Sequence, residues 1–141
     1  KKGLFKKLIG STEIFSLESR IFHGICIGLI AICLVYVPYN FFADLYIAAF
    51  SAIFFLFFYI HQYYYSRFKA KKHNNIIFGL IGIIIFGLNY FSNSGIDGST
   101  DMIWPAYLLI VFAISPYKQH FKWLLVYLFC FICIHFNYYK C

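Results

Sequence analysis

Residues 21–37 of the chain read IFHGICIGLIAICLVYV, an uninterrupted apolar run with no Asp, Glu, Lys or Arg. A helix rises about 1.5 Å per residue, so a run of this length approaches the ~20 residues that cross the apolar core of a bilayer. Similar runs recur at 45–63, 76–91, 102–115 and 121–138. The sequence therefore predicts an all-α, polytopic integral membrane protein with about five transmembrane helices over these ranges.

The composition supports the same class. Hydrophobic residues make up 62% of the 141 residues and charged residues only 12%, about half the charged share of a typical soluble domain. The apolar runs recur along the whole chain, which a secretory signal peptide does not explain. A net charge of +7 would suggest a nucleic-acid partner in a soluble protein, but here the lipid bilayer is the expected partner and no nucleic acid is expected.

Residues 1–20 form a basic juxtamembrane segment ahead of a predicted helical bundle over 21–141. Apolar side chains at positions 4, 5, 8 and 9 alternate with lysines, which gives a helix one apolar and one cationic face. Such a segment can lie on an anionic leaflet. A plain solvated tail is the equally favoured alternative.

The positions of the basic residues predict the topology. With a cytoplasmic N-terminus and five crossings, eleven of the twelve Lys and Arg residues lie on the cytoplasmic side, as the positive-inside rule requires, and only Lys140 lies outside. If segment four (102–115) were re-entrant, Lys118 and Lys122 would change sides. We therefore predict the N-in, C-out arrangement, with a re-entrant segment four kept as the alternative. The eleven are Lys1, Lys2, Lys6, Lys7, Arg20, Arg67, Lys69, Lys71, Lys72, Lys118 and Lys122.

The sequence first argues against several functions. No Asp, Glu, Lys or Arg lies within the core of any of the five segments, and because buried charges mark ion and proton paths, this argues against ion-coupled or proton-coupled transport. Phosphate-binding loops, zinc-protease motifs and nucleophile elbows are lacking from the sequence. We expect no enzyme activity, no catalytic residue, no cofactor and no metal site. Three histidines, His23, His61 and His135, indicate hydrogen bonding near the membrane boundaries, and the Cys130–Cys133 pair indicates packing.

Small residues mark two helix faces. Gly24 and Gly28 form a GxxxG pattern that Ala31 continues, and Ala48 and Ala52 are spaced in the same way on the next segment. Small side chains let helices approach closely in lipid. The pattern predicts helix contact within the chain, and a homodimer interface is the alternative.

One polar loop separates segments three and four. Asn93, Ser94, Asp97 and Asp101 are its candidate ligand-binding residues. The loop is predicted either to respond to a ligand or partner or to serve only as a connection, with Gly and Asn residues supplying its turns.

Three stretches together resemble the N-terminal membrane domain of bacterial sensor histidine kinases and related transducers: LESRIFH at 17–23, NSGIDGST at 93–100 and SPYKQH at 115–120. The resemblance implies a sensory input module for signal transduction in a two-component system, in the bacterial inner membrane. Such modules precede a further helix and a cytoplasmic kinase, so the resemblance also implies an output domain beyond the C-terminus and a homodimer. Family members tend to have Pro where Ser99 stands.

The chain contains no phosphoacceptor-histidine helix and no ATP-binding motif, so the resemblance implies no kinase activity in these residues. The alternative function is a small stand-alone membrane protein. It would act as a transporter subunit or as an assembly partner in a membrane complex.

Overall fold

The computed structural model describes residues 2–92 and 100–140, without the side chains of 2, 5, 91–92, 100–102 and 138–140. In those residues the chain forms six α-helices and no strand, which confirms the all-α prediction for the described part. The helices are α1 (Lys2–Ile9), α2 (Leu17–Phe42), α3 (Tyr46–Phe68), α4 (Asn75–Ser92), α5 (Thr100–Ile114) and α6 (Tyr117–Lys140).

Three of the helices are long and apolar enough to cross a membrane. They are α2, α3 and the part of α6 from Tyr117 to Asn137, with 26, 23 and 21 residues. Two further apolar helices are shorter, over Asn75–Tyr90 and Ile103–Ile114. By length and composition, these helices indicate a membrane protein.

Helix α2 continues past Pro38, where the sequence predicted its end. The proline side chain is exposed, and the helix extends to Phe42. Its end is fixed at Asp44, which adopts a left-handed φ of 58°. The main-chain N–H of Leu45 then donates to the carbonyl of Asn40 at 2.9 Å, which is the bond expected of a Schellman ending.

Pro105 was predicted in the first turn of segment four. Helix α5 begins at Thr100, so Pro105 instead lies inside the helix, in its second turn. The residue is exposed, and its ring therefore does not occupy the buried side of the helix.

The chain divides into two compact units, Lys1–His73 and Asn74–Cys141. We call them unit 1 and unit 2. In unit 1, α2 packs along α3 and α1 packs against α2. Ala48, Ala49 and Ala52 are buried on α3, and Cys26 and Cys33 are buried on α2. Small side chains on both helices allow this close contact.

In unit 2, α4 packs against α5 and α6. Two glycines of α4 receive aromatic rings, because a methyl group at Gly79 would overlap Trp123 and a methyl group at Gly82 would overlap Tyr107. The hydroxyls of Tyr107 and Tyr127 each donate to a main-chain carbonyl of α4, at 3.0 and 3.2 Å. Tyr107 therefore binds α4 both by ring contact and by a hydrogen bond, whereas Trp123 contributes a ring contact and Tyr127 a hydrogen bond.

Candidate functional site

The carbonyl oxygens in the last turn of α1 accept no hydrogen bond from within the helix, because no further helical N–H group follows them. Three of these oxygens instead accept hydrogen bonds from side chains of α2 and α3. The helix is thus fixed to both neighbours through its main chain. The pairs are Arg67 Nη2 to Lys7 O at 2.9 Å, Tyr63 Oη to Leu8 O at 2.7 Å and His23 Nδ1 to Ile9 O at 2.7 Å.

His23 joins this set to a fourth side chain. Its Nε2 lies 2.8 Å from the hydroxyl oxygen of Ser66, and His23 and Ser66 are 0% and 3% exposed. Because a carbonyl can only accept, Nδ1 donates to Ile9, and in the neutral ring Nε2 accepts from the Ser66 hydroxyl. We call His23, Tyr63, Ser66 and Arg67 the α1 clamp.

The three clamp residues of α3 share one face. Tyr63, Ser66 and Arg67 are spaced i, i+3 and i+4, which places them side by side near the end of the helix. The guanidinium of Arg67 also lies 5.0 Å from the ring centroid of Phe15. The same ring meets His23 edge-on at 5.1 Å, so Phe15 covers the clamp.

Gly10 makes the turn between α1 and Phe15 possible. Its φ of +101° is one that L-residues with a side chain rarely adopt, and a methyl group there would collide with the Phe15 ring. Its N–H donates to the carbonyl of Lys6 at 3.0 Å. A glycine is therefore required where α1 ends and the chain turns toward α2.

The sequence left two alternatives open for the N-terminal segment, a helix on an anionic leaflet and a solvated tail, and the choice between them stays a prediction. Helix α1 is held by the clamp, while its side chains still face outward: Leu4 is 68% exposed and Leu8 40% exposed. Lys6 and Lys7 are also exposed. An apolar and cationic surface of this kind is suited to an anionic leaflet.

A cleft of about 420 Å³ adjoins the clamp and has Ser66 in its lining. One side is the linker and first turn of α2, and the other is the segment that follows α3. We call it the linker cleft. It is lined by Ile14, Phe15, Ser16, Glu18, Ser19, Ser66, Ala70, Lys71, Lys72 and His73.

The wall of the cleft formed by residues 70–73 is held in place by a turn and a ring stack. Ala70 has a positive φ of 49°, and the N–H of Lys71 donates to the carbonyl of Tyr65 at 3.3 Å. The His73 ring stacks on Phe22 of α2, with centroids 4.3 Å apart and planes 11° apart. The two sides of the cleft are thereby tied together.

The predicted ligand-binding loop lies largely outside the described residues. Asn93, Ser94 and Asp97 lie outside the described residues. Asp101 belongs to α5, but its side chain also lies outside the description. A sensing role for this loop stays a prediction.

The predicted packing residues fall into two groups. Ala48 and Ala52 are buried on α3, and a methyl group at Gly24 would lie 3.8 Å from the side chain of Ile9 in α1. Gly28 and Ala31 are exposed, with no atom within 4 Å of a methyl group at Gly28. A homodimer contact at that exposed face stays a prediction.

The remaining histidines and cysteines form no common site. His61 is exposed and lies against Tyr65, and His135 Nδ1 donates to a carbonyl of its own helix at 3.0 Å. Cys130 and Cys133 are half-buried free thiols. Within the described part of the chain, no three His, Cys, Asp or Glu side chains are grouped to hold a metal ion.

The clamp was not predicted from the sequence. Arg67 was assigned only to the cytoplasmic side, and no residue of α3 was predicted to contact residues 1–9. The available signal was the i, i+3, i+4 spacing of three hydrogen-bonding side chains at a helix end, together with a glycine at position 10.

The comparisons with known proteins identify no relative of this chain. No protein-family model, curated protein or solved structure shows a significant match to this chain. Its class therefore comes from the fold and the site: an all-α membrane protein with a short N-terminal helix clamped to two long apolar helices.

Proposed function

We propose that the chain is a membrane-embedded sensory or signalling input module of the bacterial inner membrane. It forms the N-terminal part of a histidine-kinase-type transducer and has no catalytic activity itself. The resemblance of residues 17–23, 93–100 and 115–120 to such modules suggests the family, and the α1 clamp supports a signalling mechanism.

The clamp is the observation that carries this proposal. His23 belongs to α2, whereas Tyr63, Ser66 and Arg67 belong to α3, and both sets bind α1. The His23–Ser66 bond joins α2 and α3 directly. The binding of α1 therefore depends on how α2 and α3 are aligned.

A small helix shift is enough to change that alignment. Signalling transitions commonly move helices by about 1–2 Å, and hydrogen bonds of 2.7–2.9 Å weaken steeply when stretched by that amount. Sliding α2 against α3 would strain the bonds to Ile9 and Leu8 unequally. The mechanism is helix repacking that holds or releases α1 and is passed to a cytoplasmic output domain, with a homodimer as the working form.

The proposed topology has five crossings with the N-terminus in the cytoplasm and the C-terminus outside. Placing eleven of twelve basic residues on the cytoplasmic side supports it. In this arrangement α4 and α5 cross as well, although they are shorter than the three long apolar helices.

Cysteine accessibility tests the topology. Ala43→Cys, Ala70→Cys and Lys118→Cys are treated with a membrane-impermeant maleimide in sealed right-side-out vesicles. Ala43→Cys should react at once, and the other two only after the membrane is opened. All three are made in a Cys141→Ser background, because Cys141 lies outside in this topology and would itself react, and the Cys141→Ser chain alone measures labelling of the remaining native cysteines.

Each other pattern contradicts one part of the topology. Labelling of Ala70→Cys but not Ala43→Cys in sealed vesicles would mean an inverted orientation. Labelling of both Ala43→Cys and Lys118→Cys would mean that α5 is re-entrant.

The gene itself tests the sensory role. Its reading frame beyond Cys141 should encode a further apolar helix, a phosphoacceptor-histidine helix and an ATP-binding domain. A stop codon there would overturn the proposal and favour a stand-alone transporter subunit or assembly partner. The exposed Gly28 and Ala31 on α2 suit contact with another helix in lipid, which a homodimer and a larger membrane complex would both supply.

A further inference from the structure

The linker cleft carries an uneven charge. Lys71 and Lys72 are exposed in its lining, against a single exposed carboxylate, Glu18. The Lys71 ammonium also lies 5.4 Å from the ring centroid of Tyr65. Two lysines against one carboxylate leave these charged groups with a net charge of +1, which attracts a small anion.

The position of the cleft indicates which kind of anion it binds. The cleft lies where α2 begins and α3 has ended, and both helices are long and apolar enough to span a bilayer. The ends of spanning helices lie at the level of the lipid headgroups. Ile14, 74% exposed, adds an apolar side chain to the same lining.

We infer that the linker cleft binds the headgroup of an anionic phospholipid, with Lys71 and Lys72 on its phosphate and Ile14 beside its glycerol and acyl chains. The cleft volume of about 420 Å³ is in the range of small-ligand sites. Basic pockets beside membrane helices recognise such headgroups. The inference depends on the membrane placement of unit 1 and not on a sensory role.

The site is coupled to the clamp through Ser66. This residue lines the cleft and is hydrogen-bonded to His23. The far wall reaches α2 through the stack of His73 on Phe22. A headgroup in the cleft therefore contacts the same α2–α3 junction that holds α1.

Native mass spectrometry of the full chain in a neutral detergent, titrated with phosphatidylglycerol, tests the site. The unsubstituted chain should retain one lipid, and K71Q/K72Q should lower the affinity about tenfold or more, since each lysine near a lipid surface contributes a severalfold effect. The matched control K118Q/K122Q removes two exposed lysines outside the cleft and should change the affinity less than about twofold.

A second variant distinguishes loss of lipid binding from loss of folding. Because Glu18 repels the phosphate, E18Q should bind phosphatidylglycerol more tightly than the unsubstituted chain, a gain that a misfolded protein would not show. Equal affinity of K71Q/K72Q and K118Q/K122Q would overturn the site. So would weaker binding by E18Q.

Two further probes identify the ligand. Phosphatidylcholine should bind more weakly, because its headgroup is neutral overall, and inorganic phosphate at the same concentration should not displace the lipid. Equal binding of phosphatidylcholine would refute selectivity for an anionic headgroup. Displacement by inorganic phosphate would show a free-phosphate site instead of a lipid site.

Discussion

In both units side chains donate hydrogen bonds to main-chain carbonyls of a neighbouring helix, but unit 1 adds alanine contacts, whereas unit 2 seats aromatic rings on glycines of α4. Both kinds of contact serve to hold helices together in lipid. Helices in lipid gain nothing from hydrophobic association with one another, so close packing and hydrogen bonds must hold them together. In unit 1 hydrogen bonds fasten the short helix α1 to its neighbours, whereas in unit 2 the hydrogen bonds accompany rings that pack against glycines.

This difference predicts different sensitivities. A contact made by shape fails when volume is added, while a contact made by hydrogen bonds fails when a donor is removed. Substitutions that add volume should therefore damage unit 2 at its glycines. Substitutions that remove a polar group should damage unit 1 at the clamp.

The largest effect is expected for Gly82→Leu in unit 2. The added side chain would occupy the space of the Tyr107 ring, and overpacking of this kind destabilises by about 1–3 kcal/mol or more. Thermal unfolding in detergent, followed by circular dichroism, measures the change. An unchanged midpoint would show that the ring does not pack on Gly82.

Gly28→Leu is the matched control in unit 1. Nothing lies within 4 Å of a methyl group at Gly28, so the midpoint of the isolated chain should not move. The small-residue pattern predicted helix contact within the chain at this face, with a homodimer interface as the alternative. If the alternative holds, Gly28→Leu should change the oligomeric state, which light scattering measures.

His23→Ala is expected to have the next largest effect. It leaves the Ile9 carbonyl and the Ser66 hydroxyl without their partner, a loss of about 1–3 kcal/mol for buried groups. Release of α1 should speed tryptic cleavage after Lys6 and Lys7. His61→Ala removes an exposed histidine and should leave the cleavage rate unchanged; equal acceleration by both variants would contradict the clamp.

The smallest effect should come from Ala70→Gly, which tests the backbone of unit 1 alone. Ala70 has a φ of +49°, a conformation that costs a residue with a side chain about 1–2 kcal/mol and costs glycine little. Glycine also makes the unfolded chain more flexible, which opposes this gain. The free energy of unfolding should therefore rise by less than about 1 kcal/mol. Ala43→Gly, where φ is −90°, should instead lower the unfolding midpoint. A lower midpoint for Ala70→Gly would show that its turn is not strained.

The helical class followed from the sequence because it depends only on local composition. Long apolar runs such as 21–37 satisfy their own hydrogen bonds as helices in lipid. The ends of the helices were less predictable. Pro38 indicated a stop, but the residues that end α2 are Asp44 and Leu45, whose backbone geometry composition does not reveal.

The packing contacts could be predicted only in part. Gly24–Gly28 and Gly79–Gly82 are similar small-residue patterns, yet only the second pair receives aromatic rings. Which pattern is filled depends on Tyr107 and Trp123, which lie on other helices and far along the chain. The clamp was hidden for the same reason, because its bonds join residues 14 to 60 positions apart.

Those separations also set an order of events during synthesis. Helix α1 leaves the ribosome before α3, and the partners of Leu8 and Lys7 follow 55 and 60 residues later. At about 5–20 residues per second, the delay is on the order of 3–12 s. A lone eight-residue helix is not stable in water, so residues 2–9 must wait, unfolded or on the lipid surface, until the second long hydrophobic segment has been translated.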